Sequence, residues 1–272
     1  MVVFPNAKIN IGLNILSKRE DGFHNLQTIF VPIAIKDALE IIETQPSAKS
    51  VTFSNTGLYV PGATEGNLCI KAFELLKKDF PALPAVAMHL HKAIPMGAGL
   101  GGGSADAAFA LQLINQKFLL QLTPERLLQY AGLLGSDCPF FIVNKPSYAT
   151  GRGEVLEPID LDLSDYAILL INPGIHISTS LAFSNISIGM HVQDLRILIR
   201  EDIRYWKHNI VNDFEDQVFT AYPEIAAIKA TLYEQGALYA SMSGSGSSVY
   251  GIFPKGKHTE MNFPEQYFKK WA

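Results

Sequence analysis

The feature that most constrains this chain is the glycine-dense run from Pro95 to Ser104, in which five of ten residues are glycine. It leads directly into a largely apolar segment, Ala105 to Phe118, that predicts a buried helix. Glycine loses more backbone freedom on folding than any other residue, so the run indicates positive φ angles or close approach of a ligand. N–H groups of the loop and of the helix N-terminus would together form a cradle for phosphate. We therefore expect a polyphosphate ligand, with a flexible connector as the alternative.

The run differs from two well-known nucleotide-binding loops. No Lys-Ser or Lys-Thr pair follows the glycines, so the run is not a Walker A loop. No acidic residue follows a second strand at the distance that a dinucleotide-binding fingerprint requires. Another class of phosphate-binding loop is therefore indicated.

Composition excludes several classes of protein. Of 272 residues, 48% are hydrophobic and 18% are charged, which is typical of a globular enzyme or binding protein. The net charge of -4 arises from interspersed charges, so we expect a small-molecule partner and no nucleic acid. No apolar run approaches the roughly 18 residues of a membrane span, so no membrane partner is expected. Cys69 and Cys138 suggest no disulfide framework, and no charged leader precedes Phe4, so a reducing cytoplasm is expected.

Apolar periodicity predicts a mixture of strands and helices. Runs of strand type lie at residues 9–15, 28–33, 37–42, 86–91, 167–171 and 247–253. Runs with helical spacing lie at residues 68–80, 105–118 and 124–134, with Asn67 as the predicted cap of the first and Gly135 as the end of the last. The segment from Pro158 to Ser164 is rich in Pro, Asp and Ser and is the best candidate for a domain boundary.

The glycine run and the alanine that follows it, Pro-Met-Gly-Ala-Gly-Leu-Gly-Gly-Gly-Ser-Ala, resemble the phosphate-binding motif of the GHMP small-molecule kinases, the family of galactokinase, homoserine kinase and mevalonate kinase. Three further blocks match one branch of that family. They are Pro5–Asn10 in the opening strand, Asp21–His24 in a substrate-binding turn and Gly135–Phe141 in the catalytic segment. A fifth block, Ser241–Gly246, resembles the third family motif. The blocks keep the order of the family and cover nearly the whole chain.

The resemblance implies a two-domain α+β protein with the GHMP kinase fold and the active site between the domains. Residues 1–157 would form the N-terminal ATP-binding domain, and residues 158–272 the C-terminal domain. The matching branch implies transfer of the ATP γ-phosphate to the 2-hydroxyl of a methylerythritol linked to cytidine diphosphate, in the non-mevalonate route to isoprenoids. ATP and Mg²⁺ are the implied cofactors, and the ion would be held largely by ATP and water. The oligomeric state is left open.

Two side chains would carry the chemistry. By resemblance, Asp137 is the general base, and Lys8 pairs with it and polarises the acceptor hydroxyl. Asp137 follows Gly135 and precedes an apolar stretch, where an aspartate could also cap the next turn. Lys8 lies between Ala7 and Ile9 in a predicted strand, where a solvent-facing lysine is the commoner outcome.

The resemblance assigns ATP binding to the glycine run and to two outlying residues. Asn67 and Lys92 fall where the family has nucleotide contacts, but a helix-capping asparagine and a strand-end lysine explain both without function. The run itself comprises Pro95, Met96, Gly97, Ala98, Gly99, Leu100, Gly101, Gly102, Gly103, Ser104 and Ala105.

The matching branch also implies a clamp for a cytosine ring. Phe23 and Phe183 would sandwich the ring, and His24 would hydrogen-bond its edge. This branch more often has Tyr at the position of Phe23, a difference that keeps the stacking face but removes a hydroxyl. Asn10 and Thr179 are weaker candidates for substrate contacts. Taken alone, the two phenylalanines are commoner as core residues and the histidine as a loop residue.

Other features have ordinary explanations. His89 and His91 share a strand face, but no further ligand completes a zinc site, so solvent exposure is expected and no protein metal ligand is predicted. Cys138 is expected to be a buried, inert thiol. Gly244 and Gly246 fit a hairpin turn and also close approach to a ligand, and we expect this segment to be part of the active-site wall.

Two rival functions remain at this point. Another GHMP kinase, acting on homoserine, mevalonate or a sugar, would keep Lys8, Asp137 and the glycine run without needing a cytosine clamp. A nucleotide-binding regulatory protein would keep the fold without turnover, although the presence of both Lys8 and Asp137 argues against it.

Overall fold

A computed structural model describes residues 1–45, 49–60, 66–178, 182–183, 186, 193–256 and 262–272. The strands in these ranges are β1 Val2–Val3, β2 Asn6–Lys18, β3 His24–Lys36, β4 Ala38–Glu43, β5 Val51–Gly57, β6 Val86–Lys92, β7 Ser147–Thr150, β8 Val155–Pro158, β9 Tyr166–Asn172, β10 Tyr239–Met242, β11 Val249–Pro254 and β12 Phe268–Trp271. The helices are α1 Leu68–Asp79, α2 Gly102–Lys117, α3 Pro124–Leu134, α4 Cys138–Val143, α5 Leu195–Leu198, α6 Ile203–Asn209, α7 Glu215–Ala221 and α8 Pro223–Glu234. Each run predicted from the sequence overlaps an element of the predicted type.

The chain folds into two compact units, each of which combines distant segments of sequence. The first comprises Met1–Ala7, Ala34–Met96 and Gly101–Asn144, and the second comprises Lys8–Ile33, Gly97–Leu100 and Lys145–Ala272. The composition change near Pro158 therefore falls inside one compact unit. The division into family domains at residues 1–157 and 158–272 stays a prediction.

The first unit contains a four-stranded sheet in the order β1-β4-β6-β5. Strand β6 pairs antiparallel with β4 and parallel with β5. Apolar residues alternate along β4 and β6, so one face of the sheet is buried. The core on that face joins strand residues to residues of α1 to α4, among them Leu39, Ile41, Met88, Leu90, Phe73, Leu111, Ala131 and Cys138. This core fixes the end of β6 and the body of α2, which the glycine run connects.

The second unit contains two four-stranded sheets. Their orders are β2-β3-β7-β8, in which most residues of the two long strands belong to this unit, and β10-β11-β9-β12. A hydrophobic core includes residues from both sheets and from α7 and α8, such as Leu13, Leu26, Leu169, Val218, Ile228, Leu232, Met242 and Val249. The long strand β2 therefore presents its polar residues from a well-packed frame.

Helix ends follow the capping residues. The Cys69 N–H donates a hydrogen bond to the Asn67 side chain at 2.8 Å, which confirms the predicted cap of α1. Helix α3 ends at Gly135 as predicted. Helix α2 begins at Gly102 rather than at Ala105, because the left-handed glycine before it lets the chain enter the helix earlier. In the described part of the chain, no helix is both long enough and apolar enough to cross a membrane.

Candidate active site

The glycine run joins β6 to α2 in a conformation that glycine adopts far more readily than other residues. The φ angles of Gly97, Gly99 and Gly101 are +61°, +77° and +68°. These values lie in the left-handed region, where a Cβ atom would crowd the backbone. The prediction of positive φ in this run is therefore confirmed.

Part of the run packs against the loop between β10 and β11. A Cβ atom on Gly99 would overlap the carbonyl oxygen of Ser243. The Ser243 hydroxyl donates to the Gly99 carbonyl at 2.8 Å, and the Ser248 N–H donates to the Ala98 carbonyl at 3.3 Å. The segment that contains Gly244 and Gly246 thus forms the loop of an antiparallel hairpin, which is one of its two predicted roles. The close approach that glycine permits here is between the glycine run and the loop between β10 and β11. The role of this loop as part of the active-site wall stays a prediction.

The N-terminus of α2 has the features of an anion site. Gly101, the residue before the helix, has no side chain with which to cap the N–H groups of the first turn. Such groups lack partners inside the helix, and the helix dipole adds positive charge at this end. A Cβ atom on Gly103 would lie 3.6 Å from Cε of Met96, in ordinary contact, so packing alone does not require glycine there. Both features suit the predicted phosphate cradle.

Asp137 immediately precedes α4 and is half-buried in the first unit. Within this described segment its side chain makes no capping hydrogen bond, so it is not an ordinary helix cap. Helix α4 packs against α2, and its first residue, Cys138, lies close to the Ser104 side chain in the first turn of α2. The start of α4 therefore lies against the turn where phosphate is expected. Cys138 is buried as predicted, and burial raises its pKa to about 11, which is consistent with an inert thiol.

Lys8 is buried in β2, with 3% of its surface exposed. Its Nζ donates a hydrogen bond to Oδ1 of Asn10 at 2.6 Å and lies 4.9 Å from the centroid of the Phe30 ring. The alternative of a solvent-facing strand lysine is therefore wrong. Desolvating an ammonium costs free energy. The burial of Lys8 is consistent with the functional role that the resemblance implies.

Asn10 orients Lys8, a role that the sequence did not reveal. Its Nδ2 donates to Thr28 Oγ1 at 2.9 Å, and its N–H donates to Ser243 Oγ at 3.2 Å. The Tyr250 hydroxyl donates to the Asn10 carbonyl at 2.7 Å. These contacts fix the amide, and two of the partners lie more than 200 residues away, where no local pattern marks them. The predicted contact of Asn10 with substrate stays a prediction.

Asn67 and Lys92, the two predicted nucleotide-binding residues outside the glycine run, both bind other residues of the protein. Asn67 caps α1. Lys92 is 1% exposed, and its Nζ forms ion pairs with Asp37 and, at 2.8 Å, with Asp106. These contacts explain the positions of both residues without ATP. Their predicted contacts with ATP stay predictions. Sequence reasoning missed the two carboxylates because they lie 55 and 14 residues from Lys92, and only the folded unit brings them together.

Phe23 is displayed on the turn between β2 and β3, with 53% of its surface exposed. The Phe23 N–H donates to Oδ1 of Asp21 at 3.1 Å, and the Arg19 N–H donates to the Phe23 carbonyl at 2.8 Å. The guanidinium carbon of Arg152 lies 4.8 Å from the centroid of the Phe23 ring. The alternative of a core residue is therefore wrong for Phe23, and its exposed ring suits stacking.

His24 and Phe183 stack on each other. Their ring centroids are 5.2 Å apart and their planes meet at 23°. Phe183 also meets Phe214 edge-on, at 4.8 Å, and is partly buried against the core of the second unit. The structure thus brings together two members of the predicted clamp, whereas Phe23 contacts Arg152. Thr179 lies outside the described residues.

His89 and His91 lie on one face of β6, as the alternation predicted. Their ring nitrogens contact the hydroxyls of Ser54 and Thr56 on β5, at 2.9 to 3.1 Å. Across the described ranges, no group of three or more His, Cys, Asp and Glu side chains could hold a metal ion. The histidines are therefore satisfied by strand hydroxyls.

Two family profiles match the chain, GHMP kinases N terminal domain over residues 67–145 and GHMP kinases C terminal over residues 195–260. Curated relatives named 4-diphosphocytidyl-2-C-methyl-D-erythritol kinase match nearly the full length. The protein from Bacteroides fragilis is 51% identical over 264 residues, which is 97% of this chain and 96% of that protein. The protein from Bacteroides thetaiotaomicron is 49% identical over 269 residues, 98% of each. The chain belongs to the GHMP kinase family, among the 4-diphosphocytidyl-2-C-methyl-D-erythritol kinases.

Solved structures of GHMP kinases share the fold of this family member. A crystal structure of 4-(cytidine 5'-diphospho)-2C-methyl-D-erythritol kinase has a TM-score of 0.79 at 29% identity, and the match covers 93% of this chain and 90% of that one. The L. major mevalonate kinase has a TM-score of 0.69 at 16% identity, covering 94% and 88%, and shares the fold alone. The predicted α+β GHMP kinase fold and kinase class are therefore confirmed.

Proposed function

We propose that this GHMP kinase transfers the γ-phosphate of ATP to the 2-hydroxyl of 4-diphosphocytidyl-2-C-methyl-D-erythritol, giving the 2-phosphate and ADP in the non-mevalonate isoprenoid route. The observation that carries the proposal is the 51% identity over 264 residues to a kinase of that name. The partner is a small molecule, with no nucleic acid or membrane involved. We infer a cytoplasmic location because Cys69 and Cys138 are both free thiols, which fits a reducing compartment.

Asp137 is assigned the proton transfer. Its carboxylate would accept the hydroxyl proton while the acceptor oxygen forms a bond to Pγ. The bond from Pγ to the β,γ-bridging oxygen breaks in the same step, and ADP leaves with that oxygen. The half-buried position of Asp137, beside the residue that contacts the first turn of α2, supports this assignment.

Lys8 is assigned the polarisation of the acceptor hydroxyl. Its ammonium, oriented by Oδ1 of Asn10, would stabilise negative charge that develops on the reacting oxygens. A cation that is already oriented needs no reorganisation at the moment of reaction. The pairing of Lys8 with Asp137 is part of the proposal.

The glycine run is assigned the phosphates of ATP. N–H groups of residues 95–105 and of the first turn of α2 would donate hydrogen bonds to the phosphate oxygens. Mg²⁺ would arrive with ATP and neutralise charge on the phosphoryl oxygens. The ion would be coordinated largely by the phosphates and by water.

The cytosine ring is assigned to the aromatic residues of the second unit. Phe23 and Phe183 would stack on the ring and His24 would hydrogen-bond its edge, while Asn10 and Thr179 would contact the substrate. Stacking of a base on an aromatic side chain is worth ~1–3 kcal/mol. The exposed ring of Phe23 and the stacked pair of His24 and Phe183 support the assignment.

A panel of acceptors tests the reaction. The purified protein is incubated with MgATP and either 4-diphosphocytidyl-2-C-methyl-D-erythritol, mevalonate or homoserine, and ADP and phosphorylated product are followed. Product from the cytidylated acceptor alone is expected. Turnover of mevalonate or homoserine instead would overturn the substrate, and nucleotide binding without turnover of any acceptor would favour a regulatory protein.

The Asp137→Asn variant tests the proposed base. Its kcat is expected to fall ~10²–10⁴-fold, because the amide cannot accept the hydroxyl proton. Asp79→Asn, a partly exposed aspartate of the same unit, is the matched control and should keep its kcat. A loss below about tenfold in the Asp137 variant would remove the residue from the role of base.

A further inference from the structure

A buried charge cluster that the proposed chemistry does not use lies at the two ends of the glycine run. Nζ of Lys92 forms ion pairs with Oδ2 of Asp37 and, at 2.8 Å, with Oδ2 of Asp106. The three side chains are between 0% and 4% exposed and belong to the first compact unit. Removing charges from water is costly even when they are paired. This cost indicates that the cluster has a specific role.

The cluster holds the strand end before the run and the helix after it. Oδ1 of Asp37 accepts hydrogen bonds from the N–H groups of Ala93 at 2.6 Å and Ile94 at 2.8 Å, directly before the run. Asp106 lies in the second turn of α2, two residues after the run. Because Lys92 binds both carboxylates, it ties the two ends of the run together.

The cluster also lies close to the helix terminus that would bind phosphate. A Cβ atom on Gly102 would be 2.9 Å from Nζ of Lys92, so the ammonium lies against the first residue of α2. Two carboxylates share this one ammonium. Oδ1 of Asp106 is buried and has no hydrogen-bond partner among the described residues. The net charge of the cluster, next to the N-terminus of α2, therefore changes when the carboxyl group of Asp106 gains or loses a proton.

The surroundings of Asp106 bring its ionisation close to neutral pH. Burial raises the pKa of Asp106 to about 7, the negative charge of Asp37 acts in the same direction, and Lys92 opposes both. The Cys69 thiol faces the cluster from α1, and burial raises its pKa well above the usual value, so it stays neutral. Cys138 of α4, whose pKa burial also raises, is neutral in the same core. Asp106 is thus the group whose charge varies here.

We propose that Lys92, Asp37 and Asp106 are positioning residues for nucleotide binding, fixing both ends of the glycine run and setting the charge beneath the N-terminus of α2. The inference rests on the proposed function only in assigning the ATP phosphates to that run. An ionised Asp106 adds negative charge close to the helix terminus and weakens the binding of a polyphosphate. A protonated Asp106 removes that repulsion.

The first test measures the affinity for MgATP and MgADP by titration calorimetry, which needs no acceptor. Asp37→Asn weakens the charge-assisted hydrogen bonds at the start of the run, so the affinity is expected to fall roughly tenfold or more while the KM for the acceptor is unchanged. Asp79→Asn, outside the cluster, is the matched control and should bind nucleotide as the wild type does. An Asp37 variant that melts earlier but binds nucleotide normally would make the cluster merely structural and overturn the proposal.

The second test uses Asp106→Asn, which keeps an oxygen for Lys92 and removes the titration, and which stays informative if Asp37→Asn does not fold. From about pH 6 to about pH 8 the wild type is expected to lose affinity for MgATP as Asp106 ionises. The variant should show only the pH dependence of the nucleotide itself. Identical profiles would overturn the role of Asp106. If the affinity shifts occur but no acceptor is turned over, the substrate proposal fails and this inference stands.

Discussion

Two buried lysines, Lys8 and Lys92, are held by very different partners. Lys8, in the second unit, donates to the amide oxygen of Asn10 and lies over an aromatic ring. Lys92, in the first unit, forms ion pairs with the carboxylates of Asp37 and Asp106. Two carboxylates offset the charge of the Lys92 ammonium, and the amide oxygen of Asn10 fixes the position of the Lys8 ammonium.

The comparison teaches that burial alone does not identify a catalytic lysine. Both side chains are almost fully buried and both stand in strands close to family motifs. Lys92 is distinguished by its two carboxylate partners, which lie at the two ends of the glycine run. We therefore assign Lys92 to the positioning of the glycine run and Lys8 to the chemistry.

The Lys92→Met variant is expected to show the largest effect, on stability. It leaves Asp37 and Asp106 buried without their shared cation, and breaking a buried ion pair in this way costs ~3–5 kcal/mol of unfolding free energy. Chemical denaturation at neutral pH measures the loss. A triple variant with Asp37→Asn and Asp106→Asn removes all three charges and should recover most of the stability. A single variant as stable as the wild type would break the comparison.

The Lys8→Met variant is expected to show the opposite pattern. Its kcat should fall ~10²–10³-fold, the cost of losing one group that stabilises developing charge. Its unfolding free energy should fall less than that of Lys92→Met, because Met keeps the volume of the side chain and Asp137, the proposed partner of Lys8, is only half-buried. Steady-state kinetics and denaturation of the same preparation measure both. If stability falls steeply while the folded protein keeps its kcat, Lys8 is a structural residue like Lys92.

The Asn10→Asp variant sharpens the comparison, because it puts a carboxylate in place of the amide that now orients Lys8. We expect kcat to fall about tenfold, since the new charged hydrogen bond competes for the ammonium. Asn14→Asp, at another buried asparagine further along β2, is the matched control. Activity is expressed per folded protein. Equal kcat losses in the two variants would show that any added charge in this strand is harmful and that Asn10 has no special role.

The smallest expected effect is a pH dependence of stability. Burial raises the pKa of Asp106 to about 7 in the folded protein. A carboxyl with a raised pKa favours folding while it is protonated, and this contribution is lost as the pH rises toward that value. The melting temperature of the wild type should therefore fall relative to Asp106→Asn between about pH 4, near the pKa of an unfolded aspartate, and about pH 7. Parallel melting curves across this range would contradict the assignment.

The sequence predicts those parts of the molecule that depend on local signals. The positive φ angles of the glycine run follow from glycine itself, and the cap at Asn67 follows from its place before a helical run. The buried thiol of Cys138 follows from its apolar neighbours. The family follows from five motifs in a fixed order.

The distant contacts of Asn10 and Lys92 could not be predicted, because only the folded units create them. Asn10 reaches Ser243 across 233 residues, and Lys92 reaches Asp37 across 55. No spacing rule in one sequence links residues so far apart. The exposure of Phe23 could not be predicted either, because it depends on the geometry of one turn. Residue type alone predicts that a phenylalanine lies in the core.

The central claim is that Lys8 and Asp137 act together in phosphoryl transfer, and a double-mutant cycle on kcat/KM with the cytidylated acceptor tests it most directly. Residues that act as a unit lose nearly the same activity whether one or both are removed. We predict that Lys8→Met combined with Asp137→Asn is only slightly slower than the slower single variant. Losses that multiply in the double variant would contradict the account, because the two side chains would then act independently.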